Sequence, residues 1–226
     1  MTLDCQKISP EKLNMNKYDF TELTGLREWM RLTGWFDLEE AIAIQTAVKQ
    51  LPPGARVAEL GSFQGKSSVA IASVMPPDSI LYCVDMFRGT IIRPGEKKPP
   101  IEEIVKKNID AIAKNIEAFG VRDKVRVLVM STNEASGKFA AEYFDLVFID
   151  ADHSYEGVKS DLLNWYPKLK PGGWLFCDDF GVPDYPGVAQ AIQTVGLQGQ
   201  VVAPSLWAHR KPAAPAANTE GMPEII

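Results

Sequence analysis

The residues best equipped for chemistry sit at the ends of short apolar runs. Phe148-Ile149 leads into Asp150-Ala151-Asp152-His153, and Phe176-Cys177 leads into Asp178-Asp179. Residues two apart on an extended chain share a face, so Asp150 and Asp152 can converge on one site. Three acids at two neighbouring strand ends, Asp150, Asp178 and Asp179, can supply hard oxygen donors for Mg2+ or Mn2+. Adjacent strand residues point oppositely, so Asp178 and Asp179 can both face one ion only where the strand has already ended. Solvated loop ends are the plain alternative for all these acids. His153 stands three residues after Asp150, and an ordinary pKa of about 6.5 suits a general base near neutrality. A lone histidine is more often structural. The other histidine, His209, has no comparable neighbours and is assigned no role.

A second group begins at Glu59-Leu60-Gly61-Ser62-Phe63-Gln64-Gly65-Lys66-Ser67-Ser68. Gly61 and Gly65 allow a sharp turn and a close approach to a ligand. The free N–H groups of a following helix would favour an anionic group. The spacing is GxxxG, so the dinucleotide fingerprint GxGxxG is missing. A phosphate-binding GxxxxGK[ST] loop would need Gly at position 60, which is Leu. A tight strand-to-helix turn is the plain reading. After the next apolar run comes Asp85, whose carboxylate can accept two hydrogen bonds from a ribose diol or simply be an exposed loop acid.

These residues need a scaffold that brings strand ends together. Arg56–Leu60, Ile80–Val84, Val125–Val129, Leu146–Ile149 and Trp174–Cys177 read as strands. Leu38–Gln50, Ser67–Val74 and Ile101–Phe119 read as helices, the last closed by Gly120. Ile91–Pro100, with three prolines and a glycine, is a loop, and Pro171-Gly172-Gly173 a turn. Strands alternating with helices give a parallel α/β sheet covered on both faces. Ligands of such sheets bind beyond the carboxyl ends of the strands, where the acids lie. Residues 1–37 read as an N-terminal cap or helical extension, 38–211 as the ligand-binding domain, and 212–226 as a Pro/Ala-rich tail, a flexible end or a partner-binding arm. Trp29, Trp35 and Phe36 could cap a substrate pocket or pack on the core, the more ordinary role.

The 226 residues suit one such domain, with 46% hydrophobic and 23% charged residues. A formal net charge of −5 argues against nucleic acid as partner, because phosphate contacts need Lys and Arg. The opening MTLDCQKISP has no apolar leader, and no apolar run approaches the roughly 18 residues of a membrane span. Cys83 and Cys177 lie in strand-like runs and read as packed thiols; with Cys5 they show no CxxC spacing. A cytoplasmic protein is expected, and a homo-oligomer is left open.

The run VAELGSFQGKSSVAIA resembles motif I of class I S-adenosylmethionine-dependent methyltransferases. The run FDLVFIDADHSYEGVKSDLLNWYPKLKPGGWLFCDDF resembles small-molecule O-methyltransferases of the macrocin type and proteins labelled cephalosporin-hydroxylase-like. More distantly it resembles catechol and caffeoyl-coenzyme A O-methyltransferases. The resemblance covers Val57 to Phe180. It implies a Rossmann-like three-layer sandwich with a mostly parallel seven-stranded sheet and an antiparallel last strand. It implies S-adenosyl-L-methionine as cofactor, with Glu59, Gly61 and Gly65 along its methionine part and Ser62 and Ser67 in the same loop. Asp85 would hold the ribose hydroxyls, Ser131 and Thr132 would lie by the adenine, and Asp150 and Asp152 would also touch the cofactor. Asp150, Asp178 and Asp179 match metal ligands of the cation-dependent members, and His153 matches the base of the macrocin type. Asp179 stands where the catechol type has Asn, which leans toward the sugar-modifying branch. The acceptor implied is a small molecule with a hydroxyl: a sugar, a natural product or a catechol-like ring. The alternatives are a metal-independent methyltransferase, a nucleotide-linked oxidoreductase and a non-catalytic partner of a hydroxylase-type enzyme.

Overall fold

A computed structural model describes residues 23–92 and 94–213. Cys5, most of the N-terminal extension and all but the first two residues of the 212–226 tail lie outside them. Two helices, α1 (Leu23–Met30) and α2 (Leu38–Val48), precede the first strand. Strands and helices then alternate as β1 (Arg56–Leu60), α3 (Lys66–Ser73), β2 (Ile80–Asp85), α4 (Ile101–Ala118), β3 (Val125–Val129), α5 (Thr132–Ser136), β4 (Phe144–Ile149), α6 (Tyr155–Trp165) and β5 (Leu169–Cys177). The chain ends in α7 (Pro186–Val195), β6 (Gln200–Val201) and β7 (Trp207–Arg210).

The seven strands form one sheet in the order β3-β2-β1-β4-β5-β7-β6. Pairs among β1 to β5 are parallel, and β7 runs antiparallel to both β5 and β6. The last strand is therefore the reversed one, and it sits inside the sheet with β6 at the edge. The order of strands changes direction beside β1, so the crevice between β1 and β4 is the switch point where such sheets take ligands.

Two apolar cores cover the sheet, and the two-residue period of each strand divides its side chains between them. Val57, Leu81, Cys83, Leu146, Phe148 and Phe176 pack with α2, α3 and α4. Ala58, Leu60, Val84, Val147, Ile149, Leu175 and Cys177 pack with α5, α6 and α7. Trp29 and Phe36 are buried in the first core, while Trp35 is exposed and lies 5.5 Å from the Phe63 ring. The Trp29 indole donates to the Lys66 carbonyl at 2.9 Å, tying α1 to the start of α3.

α4 ends at Gly120 (φ 66°), whose N–H bonds Glu117 O while that of Val121 bonds Ile116 O. This is the paired closure that a left-handed glycine allows. One expectation is corrected. Pro171-Gly172-Gly173 is not a turn before a strand but an irregular stretch within β5. There β4 advances from Phe144 to Leu146 while β5 advances from Leu169 to Trp174. Proline brings no N–H to the ladder, Gly172 takes φ 77°, and its N–H donates instead to Lys211 O at 2.9 Å.

Candidate active site

The parallel register aligns the residues at the carboxyl ends of the central strands. Leu60 pairs with Val84 and with Ile149, and Ile149 with Cys177. The next residues stay in line: Gly61 N–H donates to Val84 O at 2.9 Å, Asp150 N–H to Leu60 O at 2.8 Å, and Asp178 N–H to Ile149 O at 3.0 Å. Asp85, Gly61, Asp150 and Asp178 thus form one row, with neighbouring strands about 4.8 Å apart.

Gly61 is indispensable to that row. At φ 88°, a Cβ here would stand 1.9 Å from the Asp150 carbonyl oxygen. The β1–α3 loop therefore rests directly on the β4 end. At Gly65, φ 83°, a Cβ would meet Ile112 Cγ1 at 2.7 Å, so its smallness lets α4 close on the loop.

Beneath the loop lies Glu59, wholly enclosed. Its Oε2 accepts from Ser62 Oγ at 2.6 Å and from the Ser68 hydroxyl. Its Oε1 has no hydrogen-bond partner, with the Cys83 thiol as a neighbouring weak donor. Burial pushes its pKa above the usual carboxylate range, against hydrogen bonds from Ser62, Ser67 and Ser68. Glu59 acts on the loop from below rather than from within an open pocket. Asp85 organises the same loop from the side. Its Oδ2 accepts from the N–H groups of Ser62 at 2.9 Å and Phe63 at 2.7 Å, and its Oδ1 from Phe87 N–H at 2.5 Å. Three loop amides already engage the carboxylate expected to hold a ribose.

The row ends in a charged cluster. His153 Nε2 lies 2.9 Å from Asp179 Oδ2 and 3.4 Å from Asp150 Oδ1. These three side chains offer donor atoms within 4.8 Å of one another, a set that could hold a cation. Asp179 joins because β5 has ended at Cys177 and Asp179 takes a left-handed φ of 57°, which Asp tolerates better than most residues. Asp178 is buried and accepts the Asp179 N–H at 2.9 Å; it is not among the three grouped residues. Burial, then the charge of Asp150, holds the Asp178 carboxyl well above its ordinary pKa. Burial also raises Asp150, partly offset by His153. The imidazole is raised to about 10, by Asp150 and then Asp179, so His153 is an imidazolium at neutral pH in this arrangement.

The other acids, hydroxyls and histidine singled out in the sequence have local partners. Asp152 Oδ1 accepts Ser154 N–H at 2.8 Å at the start of α6, and Gly157 leaves room for its carboxyl. Ser131 caps α5 and shares a capping box with Glu134, while Thr132 O accepts from the Trp165 indole at 3.2 Å. Both ring nitrogens of His209 are engaged, with Tyr166 and with Gln198 O. Sequence reasoning missed Tyr185, whose ring stacks on His153 at 4.5 Å between centroids. It also missed Ser68, which shares Glu59 with Ser62. Ser68 stands in the run quoted from the sequence and falls in the first turn of α3, where the buried acid needs hydroxyl donors; no spacing pattern links Tyr185 to His153.

Among the described residues, no helix is long and apolar enough to cross a membrane. Residues 58–180, more than half of the chain, match a family described as a methyltransferase domain. The chain is 29% identical over 168 residues to catechol O-methyltransferase B of Danio rerio, a stretch covering 70% of this chain and 54% of that protein. It thus spans about half the length of that curated relative. Similar folds occur in the O-methyltransferase NovP, with TM-score 0.61, 17% identity, and coverage of 78% of this chain and 81% of that one. The cofactor-bound protein Rv0187 from MTB has TM-score 0.62 and 16% identity, covering 92% of this chain and all of that one. A SAM-dependent O-methyltransferase of Thermotoga maritima has TM-score 0.60 and 12% identity, with coverage of 87% and 73%.

Proposed function

The chain belongs to the methyltransferase-domain family, and from that premise we propose that it transfers a methyl group from S-adenosylmethionine to a hydroxyl of a small molecule. The carrying observation is the contact between Gly61 and the Asp150 carbonyl, which puts the glycine loop beside the Asp150–His153–Asp179 cluster. A cofactor bound over the loop and an acceptor at the cluster would then meet. S-adenosylmethionine supplies an electrophilic methyl group on a sulfonium. The surroundings suit such a cation: the enclosed Glu59 carboxyl supports the loop from below and Asp85 closes its side.

The main task of the protein is positioning, because the methyl donor is already activated. The loop would fix the donor and the cluster the acceptor oxygen. The two carboxylates of Asp150 and Asp179, completed by added oxygen ligands, would suit Mg2+ or Mn2+ and leave the imidazole uncoordinated. Asp150 and Asp179 would hold the ion, and Asp178 would need to turn toward it. Such an ion would orient the acceptor hydroxyl and lower its pKa. With the carboxylates so engaged, His153 would lose the partners that keep it protonated, and its Nε2 could accept the proton of the hydroxyl. A vicinal diol or catechol suits this arrangement, because it offers two oxygens to one centre. The second reading is metal-independent transfer, in which the 2.9 Å contact with Asp179 would orient the His153 imidazole.

The deciding experiment incubates the purified chain with S-adenosylmethionine and catechol or a sugar diol, with Mg2+ or with chelator. Methylated product and a rise in melting temperature with S-adenosylmethionine but not NAD are expected. Stabilisation by NAD alone would overturn the reading. Cofactor binding without transfer to any acceptor would leave the chain as a partner of another enzyme.

A further inference from the structure

We infer that Tyr185 is a positioning residue for the proposed transfer, its ring fixing the His153 imidazole so that Nε2 faces Asp150 and Asp179. The inference rests on the methyl-transfer reading given above. The Tyr185 and His153 rings lie 4.5 Å apart between centroids with planes inclined by 30°. Edge contacts alone leave an imidazole free to roll about the line to its partners, and a flat face against it removes that freedom.

Tyr185 is itself well placed by its backbone. Its N–H donates to Val182 O at 3.0 Å, and its carbonyl accepts from Val188 N–H at 3.2 Å. Pro186 begins α7 immediately after it, with a fixed φ suited to a first helical position. Gly187 then lets α7 sit on the histidine loop: a Cβ there would lie 2.4 Å from Tyr155 N and 2.8 Å from His153 O. Loop backbone and imidazole are thus held by consecutive parts of one segment. Tyr185 is 40% exposed, so core packing does not account for its place.

The test compares Tyr185→Phe with Tyr185→Leu. Two histidines make the imidazole NMR spectrum simple, and loss of one set of signals in His153→Gln assigns it. In the wild type the stacked Tyr185 ring should shift the His153 ring protons upfield. Tyr185→Leu should move them downfield and lower kcat for catechol by about tenfold to a hundredfold, the cost of a small misplacement. Its S-adenosylmethionine Kd and melting temperature should stay at wild-type values. Tyr185→Phe, which keeps the ring, should restore both the resonance position and kcat. Unmoved His153 signals in Tyr185→Leu would overturn the inference while leaving the methyl-transfer reading intact. So would failure of Tyr185→Phe to rescue, or a loss of cofactor affinity and stability that parallels the loss of rate. No methyl transfer by the wild type would sink the functional reading and the positioning role with it, whatever the resonances show.

Discussion

Asp161 offers a quantitative test of the packing around the α5–α6 side of the site. It is 2% exposed, and burial raises its carboxyl from 3.8 to about 6, with a hydrogen bond from Thr132 opposing the shift. The folded state therefore binds this proton more tightly than the unfolded chain. The resulting stabilisation is fully present below 3.8 and is lost as pH rises through 6. Above that window the chain carries a buried charge, at a cost of about 3 kcal/mol. Asp161→Asn keeps the shape and an oxygen acceptor for Thr132 but never ionises. Allowing for adjustments in the unfolded chain, it should stabilise the protein by about 1–3 kcal/mol at pH 7.5. At about 2–4 °C per kcal/mol for a chain this size, the melting temperature should rise by about 2–12 °C. Thermal melts of both proteins from pH 7.5 to 4.5 check the sign as well as the size. The gap should shrink to about a third at pH 4.5, where most of the wild-type carboxyl is protonated when folded. A variant less stable than wild type at pH 7.5, or a gap that does not change with pH, would refute the account of a buried, charge-strained acid.

Gly61→Ala forces a Cβ to 1.9 Å from the Asp150 carbonyl at a left-handed backbone position. It should cost about 3 kcal/mol or more and abolish activity, measured by denaturant unfolding and product formation. Asp85→Ala removes the acceptor of three loop N–H groups, so calorimetry should show S-adenosylmethionine affinity lower by about tenfold or more. Unchanged affinity would show that neither the loop nor a ribose depends on Asp85. Chelation should abolish transfer and Mg2+ or Mn2+ restore it, and Asp179→Ala should mimic chelation while the cofactor still binds. Full turnover in chelator would select the metal-independent reading.

Much of the sheet was legible because its strands are short apolar runs bounded by turn residues. Arg56–Leu60 and Val125–Val129 coincide with the strands read from sequence. β6 has two residues and β7 carries His209 and Arg210, so neither offers an apolar run to detect. The N-terminal part of β5 was hidden because proline and two glycines interrupt it, a composition that also describes a turn. The acids of the site were legible as types at strand ends. Their partners were not: that Asp85 is filled by loop amides and Asp179 turns left-handed depends on backbone geometry that residue identity leaves open.

The alternation of strand residues carries one step further. Val57 and Glu59, Leu81 and Cys83, Leu146 and Phe148, and Phe176 share the face packed by α2, α3 and α4. Two residues on, the same parity gives Gly61, Asp85, Asp150 and Asp178. The face that is apolar in mid-sheet thus becomes acidic at its carboxyl edge, and the charge of Glu59 still reaches Asp150. Glu40 of α2 adds to this pressure on Asp178 while its own carboxylate is bound to the Asp37 N–H and the Ser205 hydroxyl. Acids gathered on one buried edge repel one another unless protonated or given a cation. Within this chain the imidazolium of His153 answers part of that demand, at Asp150 and Asp179. A positively charged sulfonium over the loop, or a divalent ion at the cluster, would answer it further. The same electrostatic pressure that raises these carboxyl groups therefore favours the cations that the proposed reaction needs.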